Sequence, residues 1–248
     1  MVNSNERSVD DYLAAQHQLQ GWLYQADVLV FQGMNAIQGA EHVKGDLLEI
    51  GVYHGKSAIL MGYFVRDDER LFVCDLFESP APNGENQSEK LSWYPGLTQR
   101  TFEENYLRFH AQLPAILAYP STSLIEQGML KGSFRFIHID GSHIFEVIRC
   151  DIRTAKSLLN EDGIVAIDDY RSVHTPGVAA AVWEAVTSDH LVPICLTPQK
   201  MYATWNSSDR TQEHLLAWAA KRNDIEVELE TICDRQLVRL KTRGTMTY

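Results

Sequence analysis

Beyond residue 45 the chain alternates short apolar runs with helix-length segments, the order that builds a parallel sheet through βαβ crossovers. Strands are expected over 46–50, 71–75, 115–119, 134–140 and 163–168, with helical patterns starting near Gly55, Arg100, Ser121 and His143 and another over 176–189. Two further apolar runs, 191–196 and 201–205, are joined by Thr197-Pro198-Gln199-Lys200, a link too short for a parallel crossover, so they should pair antiparallel. The segment 208–222 reads as a helix, and strand-like stretches follow around Val227 and Leu237. Ahead of the sheet, the spacing of Leu13, Leu19, Trp22, Leu23, Ala26, Leu29, Val30 and Met34 gives helices with one side packed on something else. A helical extension over 1–44 thus precedes an α/β unit over 45–248, the two forming one structural domain. The stretch 77–99, rich in Pro, Gly, Asn and Ser and holding Trp93 and Tyr94, is expected to be an irregular lid or substrate loop.

Composition narrows the partners. At 248 residues and 45% hydrophobic content the chain can bury one substantial core without disulfides. A net charge of -11 leaves little basic surface for phosphates, so neither a nucleic-acid backbone nor an anionic membrane is an expected partner. The first thirty residues lack a basic segment followed by an apolar core, and no run approaches the roughly 18 apolar residues of a membrane span. The expectation is a protein neither exported nor inserted. Cys74, Cys150, Cys195 and Cys233 show no CxxC spacing and read as reduced thiols, which favours the cytoplasm.

The first motif is Glu49-Ile50-Gly51-Val52-Tyr53-His54-Gly55-Lys56-Ser57, where the first strand should hand over to the first crossover helix, the place where open α/β sheets bind ligands. Gly51 and Gly55 allow a sharp turn and close backbone approach, and Glu49 offers an acceptor-only carboxylate to a positively charged amino group. A dinucleotide site would show GxGxxG and a phosphate loop GxxxxGK[ST]; this turn reads ExGxxxG, and its Gly55-Lys56-Ser57 stands one residue too near the first glycine. An ordinary glycine-bearing turn is the plain alternative. Asp75 sharpens the signal: it ends the second strand, where carboxylates hold ribose hydroxyls.

With these motifs the chain resembles the class I S-adenosylmethionine-dependent methyltransferases, and among them the macrocin O-methyltransferase-like group that modifies sugars of natural products. The likeness runs from about residue 45 to 205 and is carried by LLEIGVYHGKS, FVCDLFE, FIHIDGSHIFEVIRCDI, DGIVAIDDY and HTPGVAAAVWEAV. It implies a Rossmann-like fold: a mostly parallel seven-stranded sheet with an antiparallel edge strand, helices on both faces and an N-terminal helical extension. It also implies that Glu49, Gly51 and Gly55 line the methionine half of S-adenosyl-L-methionine and that Asp75 binds its ribose, with Tyr53, Ser57 and Asp140 also among the cofactor-binding residues. Ser121 resembles the family's adenine-side serine, although the segment reads Tyr119-Pro120-Ser121 in place of glycine-aspartate-serine.

The second constellation is Asp140 with Asp168 and Asp169, all ending strands at one edge of the sheet. Three converging carboxylates repel one another, and a cation is the simplest reason to gather them. All-oxygen ligands favour Mg²⁺, Mn²⁺ or Ca²⁺. Neighbouring strand residues face opposite ways, so Asp168 and Asp169 can share an ion only if the chain leaves the strand between them. The resemblance points to the same three aspartates as a divalent-metal site. His143, three residues after Asp140, is the expected general base, with Ser142 as a helix cap and His174 as second choice; His138, inside an apolar strand, reads as structural.

The expected activity is therefore metal-assisted O-methyl transfer to a hydroxyl of a sugar or another diol-bearing small molecule, by a homo-oligomer. A catechol-type O-methyltransferase is the nearest alternative. A metal-dependent hydrolase or hydroxylase on the same sheet, and a non-catalytic cofactor-binding protein, stand further off.

Overall fold

The apolar runs assemble into a single sheet. In the computed structural model, residues 7–232 and 235–244 are described; Cys233 lies outside them. The chain opens with helix α1 (Val9–Ala15), a 3-10 turn (Gln16–Gln18) and helix α2 (Gln25–Ala40). Then follow β1 (Asp46–Ile50), α3 (Lys56–Gly62), β2 (Leu71–Cys74), α4 (Gly84–Trp93), α5 (Gln99–Tyr106), β3 (Ala115–Leu117), β4 (Phe134–Ile139), α6 (Phe145–Leu158), β5 (Leu159–Ile167) and α7 (Pro176–Ser188). The last third holds β6 (Val192–Leu196), β7 (Met201–Thr204), α8 (Asp209–Ala219), β8 (Ile225–Ile232) and β9 (Arg235–Thr242).

Among the described residues the sheet has nine strands, in the order β3-β2-β1-β4-β5-β7-β6-β9-β8. Strands β1 to β5 are parallel, and β7 runs antiparallel to both β5 and β6, as the short link required. The antiparallel strand is not the edge, however. Strand β9 adds parallel to β6, and β8 closes the sheet antiparallel to β9, so the sheet outgrows the expected seven strands by two. The order reverses between β1 and β4, and the loops leaving these two strands part there to open a crevice.

Each face of the sheet buries its own core. On one side Val28, Phe31 and Met34 of α2, Ile59 and Leu60 of α3, Phe102 of α5 and Leu215 of α8 pack together with Leu47 and Val73 of the sheet. On the other, Ile148 and Ile152 of α6 and Val178 and Val182 of α7 cover Leu48, Ile137 and Val165. The N-terminal helices are thus part of the sheet's covering layer. Arg135 of β4 is buried among them: its guanidinium forms a two-pronged pair with Glu69 at 2.8 Å on both arms, and it also donates to Gln38 Oε1 at 2.9 Å and to the Phe64 carbonyl at 2.8 Å. That network fastens α2 to the end of the sheet opposite the crevice.

Three local expectations change. The helix expected from Ser121 is a single 3-10 turn, Ser121–Ser123, between Pro120 and the left-handed glycines Gly128 and Gly132. Strand β5 begins at Leu159, earlier than 163. The stretch 77–99 is not irregular throughout, because Asn83 caps α4 by accepting the Asn86 N–H at 2.8 Å.

Candidate active site

Three loops meet at the carboxyl ends of the parallel strands. At the first, Gly51 has φ +81°, and a Cβ there would lie 2.2 Å from the Asp140 carbonyl oxygen, so only glycine lets the loops after β1 and β4 touch. Gly55, with φ +95°, starts α3, and Tyr53 between them also adopts a positive φ of 45°. Asp75, one residue beyond β2, braces this turn by accepting the N–H groups of Val52 and Phe77, each at 2.8 Å. Burial nevertheless pushes its carboxyl above the ordinary aspartate value, against those hydrogen bonds.

Glu49 is completely buried beneath the turn. Its Oε1 accepts from Ser57 and sits 2.8 Å from His138 Nδ1, a pairing fixed by the register that sets Glu49 of β1 beside His138 of β4. Burial drives Glu49 well above the usual carboxylate range and His138 well below the usual imidazole range. Burial thus opposes charge on both members of the pair, and Glu49 Oε2 and His138 Nε2 are buried without a hydrogen-bond partner. His138 thus contributes to the site, where sequence pattern suggested only a packing role.

Two cavities flank the turn. The smaller, about 180 Å³, lies between Gly51, Asp75, Asn86, Ser121 and Asp151. Ser121 donates to Asp151 Oδ1 at 2.6 Å, and burial raises Asp151 to about 7 despite that bond. The larger, about 540 Å³, has aromatic walls in Trp22, Tyr24, Tyr53, Trp93 and Tyr94 and a floor that includes Asp140, Asp168 and Asp169. The cavities share Gly51, Tyr53, Glu89, Tyr94 and Asp140 as their common wall. Tyr53 carries much of it, stacked on Trp22 at 5.8 Å and meeting Tyr94 edge-on at 5.4 Å.

The three aspartates do not converge as a cage. The chain does leave the strand at Asp169, whose φ is +57°, but this turns the carboxylate away from Asp168: Asp169 Oδ1 accepts from Ser172, and Oδ2 lies 3.1 Å from His143 Nε2. Among the described residues the group close enough to share one ion is instead His138, Asp140 and Asp168, with ligand atoms within 4.8 Å of one another. A cation already stands there. The Lys200 ammonium, from the hairpin between β6 and β7, donates to Asp168 Oδ2 and lies 3.9 Å from Asp140 Oδ2. Burial opposes its charge, but Asp168, Asp140 and Asp27 outweigh burial and hold it above the ordinary lysine value. The residues present therefore do not fit a resident Mg²⁺ held by Asp140, Asp168 and Asp169, and the carboxylates are gathered around a side chain.

His143 is also differently placed from the expected base. Its Nδ1 lies 2.8 Å from Glu89 Oε1 and its Nε2 faces Asp169, so both ring nitrogens are occupied by carboxylates. Burial works against its charge, but these two hydrogen bonds prevail and raise it to about 10, so at neutral pH it is an imidazolium. Ser142 does not cap α6; it donates to Glu89 Oε2 at 2.6 Å. His174 borders the larger cavity, its ring 6.4 Å from that of His143. Glu89, Lys200 and Asp27 are the site residues that sequence reading missed. Asp27, on α2, accepts from Thr197 at 2.6 Å and from Tyr202 at 2.9 Å, and burial raises it to about 6.

A cavity at a glycine turn, two strand-end carboxylates and a second cavity sharing its wall make up the candidate site. Residues 48–170 match the family model described as a methyltransferase domain, and that part of the chain is a methyltransferase domain of Rossmann-like fold. Solved structures share that fold. The O-methyltransferase NovP is 17% identical, with a TM-score of 0.56 over 73% of this chain and 81% of that one. CalS11, the TDP-rhamnose 3'-O-methyltransferase of calicheamicin biosynthesis, is 16% identical, with a TM-score of 0.53 over 83% and 88%. A protein from Corynebacterium glutamicum is 12% identical, with a TM-score of 0.53 over 83% and 93%. No curated protein matches the chain. Among the described residues no helix is long and apolar enough to cross a membrane.

The lining of the smaller cavity and of the turn beside it suits part of S-adenosylmethionine. Gly51 admits the close approach, Asp75 borders the smaller cavity, and the unpartnered Glu49 Oε2 is a polar atom left buried beneath the turn.

Proposed function

We propose that the protein methylates a hydroxyl oxygen of a small, diol-bearing acceptor, a sugar or glycosylated molecule, using S-adenosylmethionine. The observation that carries this reading is the shared wall: Gly51, Tyr53, Tyr94 and Asp140 separate the cavity at the glycine turn from a larger one that is aromatic at its sides and acidic at its floor. Aromatic faces suit the C–H surfaces of a sugar ring, and carboxylates accept from its hydroxyls. The fold shared with NovP, an O-methyltransferase, and CalS11, a TDP-rhamnose 3'-O-methyltransferase, supports oxygen as the methyl acceptor. It also supports the narrower likeness to sugar-modifying enzymes of natural products.

The bound cofactor would supply a methyl group already activated as a sulfonium, which leaves the protein to orient the acceptor and take its proton. In this reading Asp169 takes that proton. Its carboxylate borders the larger cavity and, with His143 and Ser172 outweighing burial to hold its pKa below the ordinary value, stands ionised there as a weak base. His143 holds Asp169 in place through Nε2, while Glu89 holds His143 through Nδ1. A phenolic diol is the second reading, favoured by Trp22 and Trp93, each 61% exposed, at the cavity mouth.

The test is calorimetric titration with S-adenosylhomocysteine, followed by incubation with S-adenosylmethionine and a panel of sugar nucleotides, glycosides and catechols. A methylated sugar product is the expected result, and a product confined to catechols would select the second reading. Absence of S-adenosylhomocysteine binding would remove both. Sedimentation of the same sample reads the expected self-association.

A further inference from the structure

Lys200 is 1% exposed, an unusual position for a lysine, and its place is fixed from several directions. Its backbone N–H donates to Thr197 Oγ1 at 2.8 Å, and that hydroxyl donates in turn to Asp27 of α2 at 2.6 Å. Tyr202, two residues on, donates to the same Asp27 oxygen at 2.9 Å. The hairpin turn is thereby tied to α2, and the lysine stem runs through packed protein to reach the strand ends. At its tip the ammonium touches Asp168 and stands 3.9 Å from Asp140. A divalent ion bridging those two carboxylates would sit about 2.1 Å from an oxygen of each, in the space that the ammonium already fills. The remaining carboxylates have their own partner, since Asp169 and Glu89 both face His143. Two side-chain cations thus answer the acids that the strand ends bring together, and none of these acids is left to require a metal.

We propose that Lys200 is the resident cation of the Asp140–Asp168 pair, standing where a divalent metal would otherwise bind, so that methyl transfer by this protein is independent of metal. Lys200 is a positioning residue: it fixes the carboxylate oxygens that face the acceptor cavity and does not reach the cavity itself. Its link to turnover rests on the methyltransferase reading; its exclusion of a metal rests on geometry alone.

The experiment titrates the purified full chain with Mn²⁺, following free Mn²⁺ by electron paramagnetic resonance, and measures S-adenosylhomocysteine binding on the same samples. The wild-type protein is expected to take up no stoichiometric Mn²⁺, and its turnover to be unchanged by chelation. Lys200→Ala, which vacates the space and leaves the acids, is expected to bind one equivalent of Mn²⁺ at least about tenfold more tightly than wild type. Lys200→Arg, which retains a cation, should stay refractory. Thermal melts report whether the alanine variant is folded; if it is not, the wild-type and arginine titrations decide. Stoichiometric Mn²⁺ uptake by the wild type, or turnover abolished by chelation, overturns the proposal, as does a folded Lys200→Ala that takes up no Mn²⁺. A chain that fails to bind S-adenosylhomocysteine would lose the methyltransferase reading and leave the Mn²⁺ titration to judge Lys200.

Discussion

Glu89 of α4 grips His143 twice, accepting the backbone N–H at 2.7 Å and lying 2.8 Å from ring Nδ1. One carboxylate therefore joins the helix over the site to the loop after β4. Helix α4 has no buried residue of its own, so this polar latch, with the Ser142 bond, does what an apolar stripe does for other helices.

Glu89→Ala should loosen α4 and expose both cavities. We expect kcat/KM to fall by about tenfold to a hundredfold, mostly through KM, with faster proteolysis within 84–93 and little change in the global melting temperature. Hydrogen exchange across α4 provides the check; protection equal to wild type would argue against the latch.

The pH dependence of turnover separates two proton acceptors. Asp169 is held below the ordinary aspartate value and His143 is raised to about 10, so the pair stays ionised from the acid side of neutrality to beyond pH 9. The kcat profile should be flat across pH 6–8 (roughly the range of an unperturbed histidine). A rise through pH 6.5 would mark His143 as a free base.

The same shift has a consequence for stability. A histidine whose folded-state pKa lies above its unfolded value of 6.5 contributes stability that is fully present below pH 6.5 and lost as pH climbs through about 10. Denaturation of wild type should therefore show a loss over that window that His143→Gln lacks, and the variant should be less stable at pH 6 by about 2 kcal/mol.

Gly51→Ala forces a side chain at φ +81° against the Asp140 carbonyl. The two loops must part, and we expect a loss of about 2 kcal/mol or more in stability together with loss of S-adenosylhomocysteine binding. Calorimetry of the folded fraction measures the second effect directly.

Far from the crevice, Glu69→Ala would leave the Arg135 guanidinium buried with only Gln38 and a carbonyl as partners. We expect about 3–5 kcal/mol of destabilisation, read by urea unfolding, with cofactor affinity of the folded protein unchanged.

The sheet was largely legible in the sequence because each parallel strand is a short apolar run ended by a turn residue or an acid; β1 over 46–50 and the antiparallel β6–β7 hairpin fall where the pattern places them. So do the carboxylates Glu49, Asp75, Asp140 and Asp168 at the strand ends. Helix α4 was not legible: Gly84–Trp93 is mostly polar, buries none of its residues and is held by polar contacts, chiefly those of Glu89 with Ser142 and His143, that spacing cannot reveal. Lys200 follows Thr197-Pro198-Gln199 and reads as an exposed hairpin lysine, while Asp27 hides in the apolar stripe of α2. The direction of the Asp169 side chain depends on a single left-handed residue, and with it went the expected three-aspartate cage.

The Asp27–Thr197 bond spans 170 positions of sequence. A ribosome emits α2 early and the hairpin bearing Lys200 only after four-fifths of the chain, so a nascent polypeptide already holding its glycine turn and every strand-end acid still lacks the ammonium that those acids surround. The charge balance of the centre is completed late in synthesis, and a chain cut short before the hairpin would keep the acids without the ammonium.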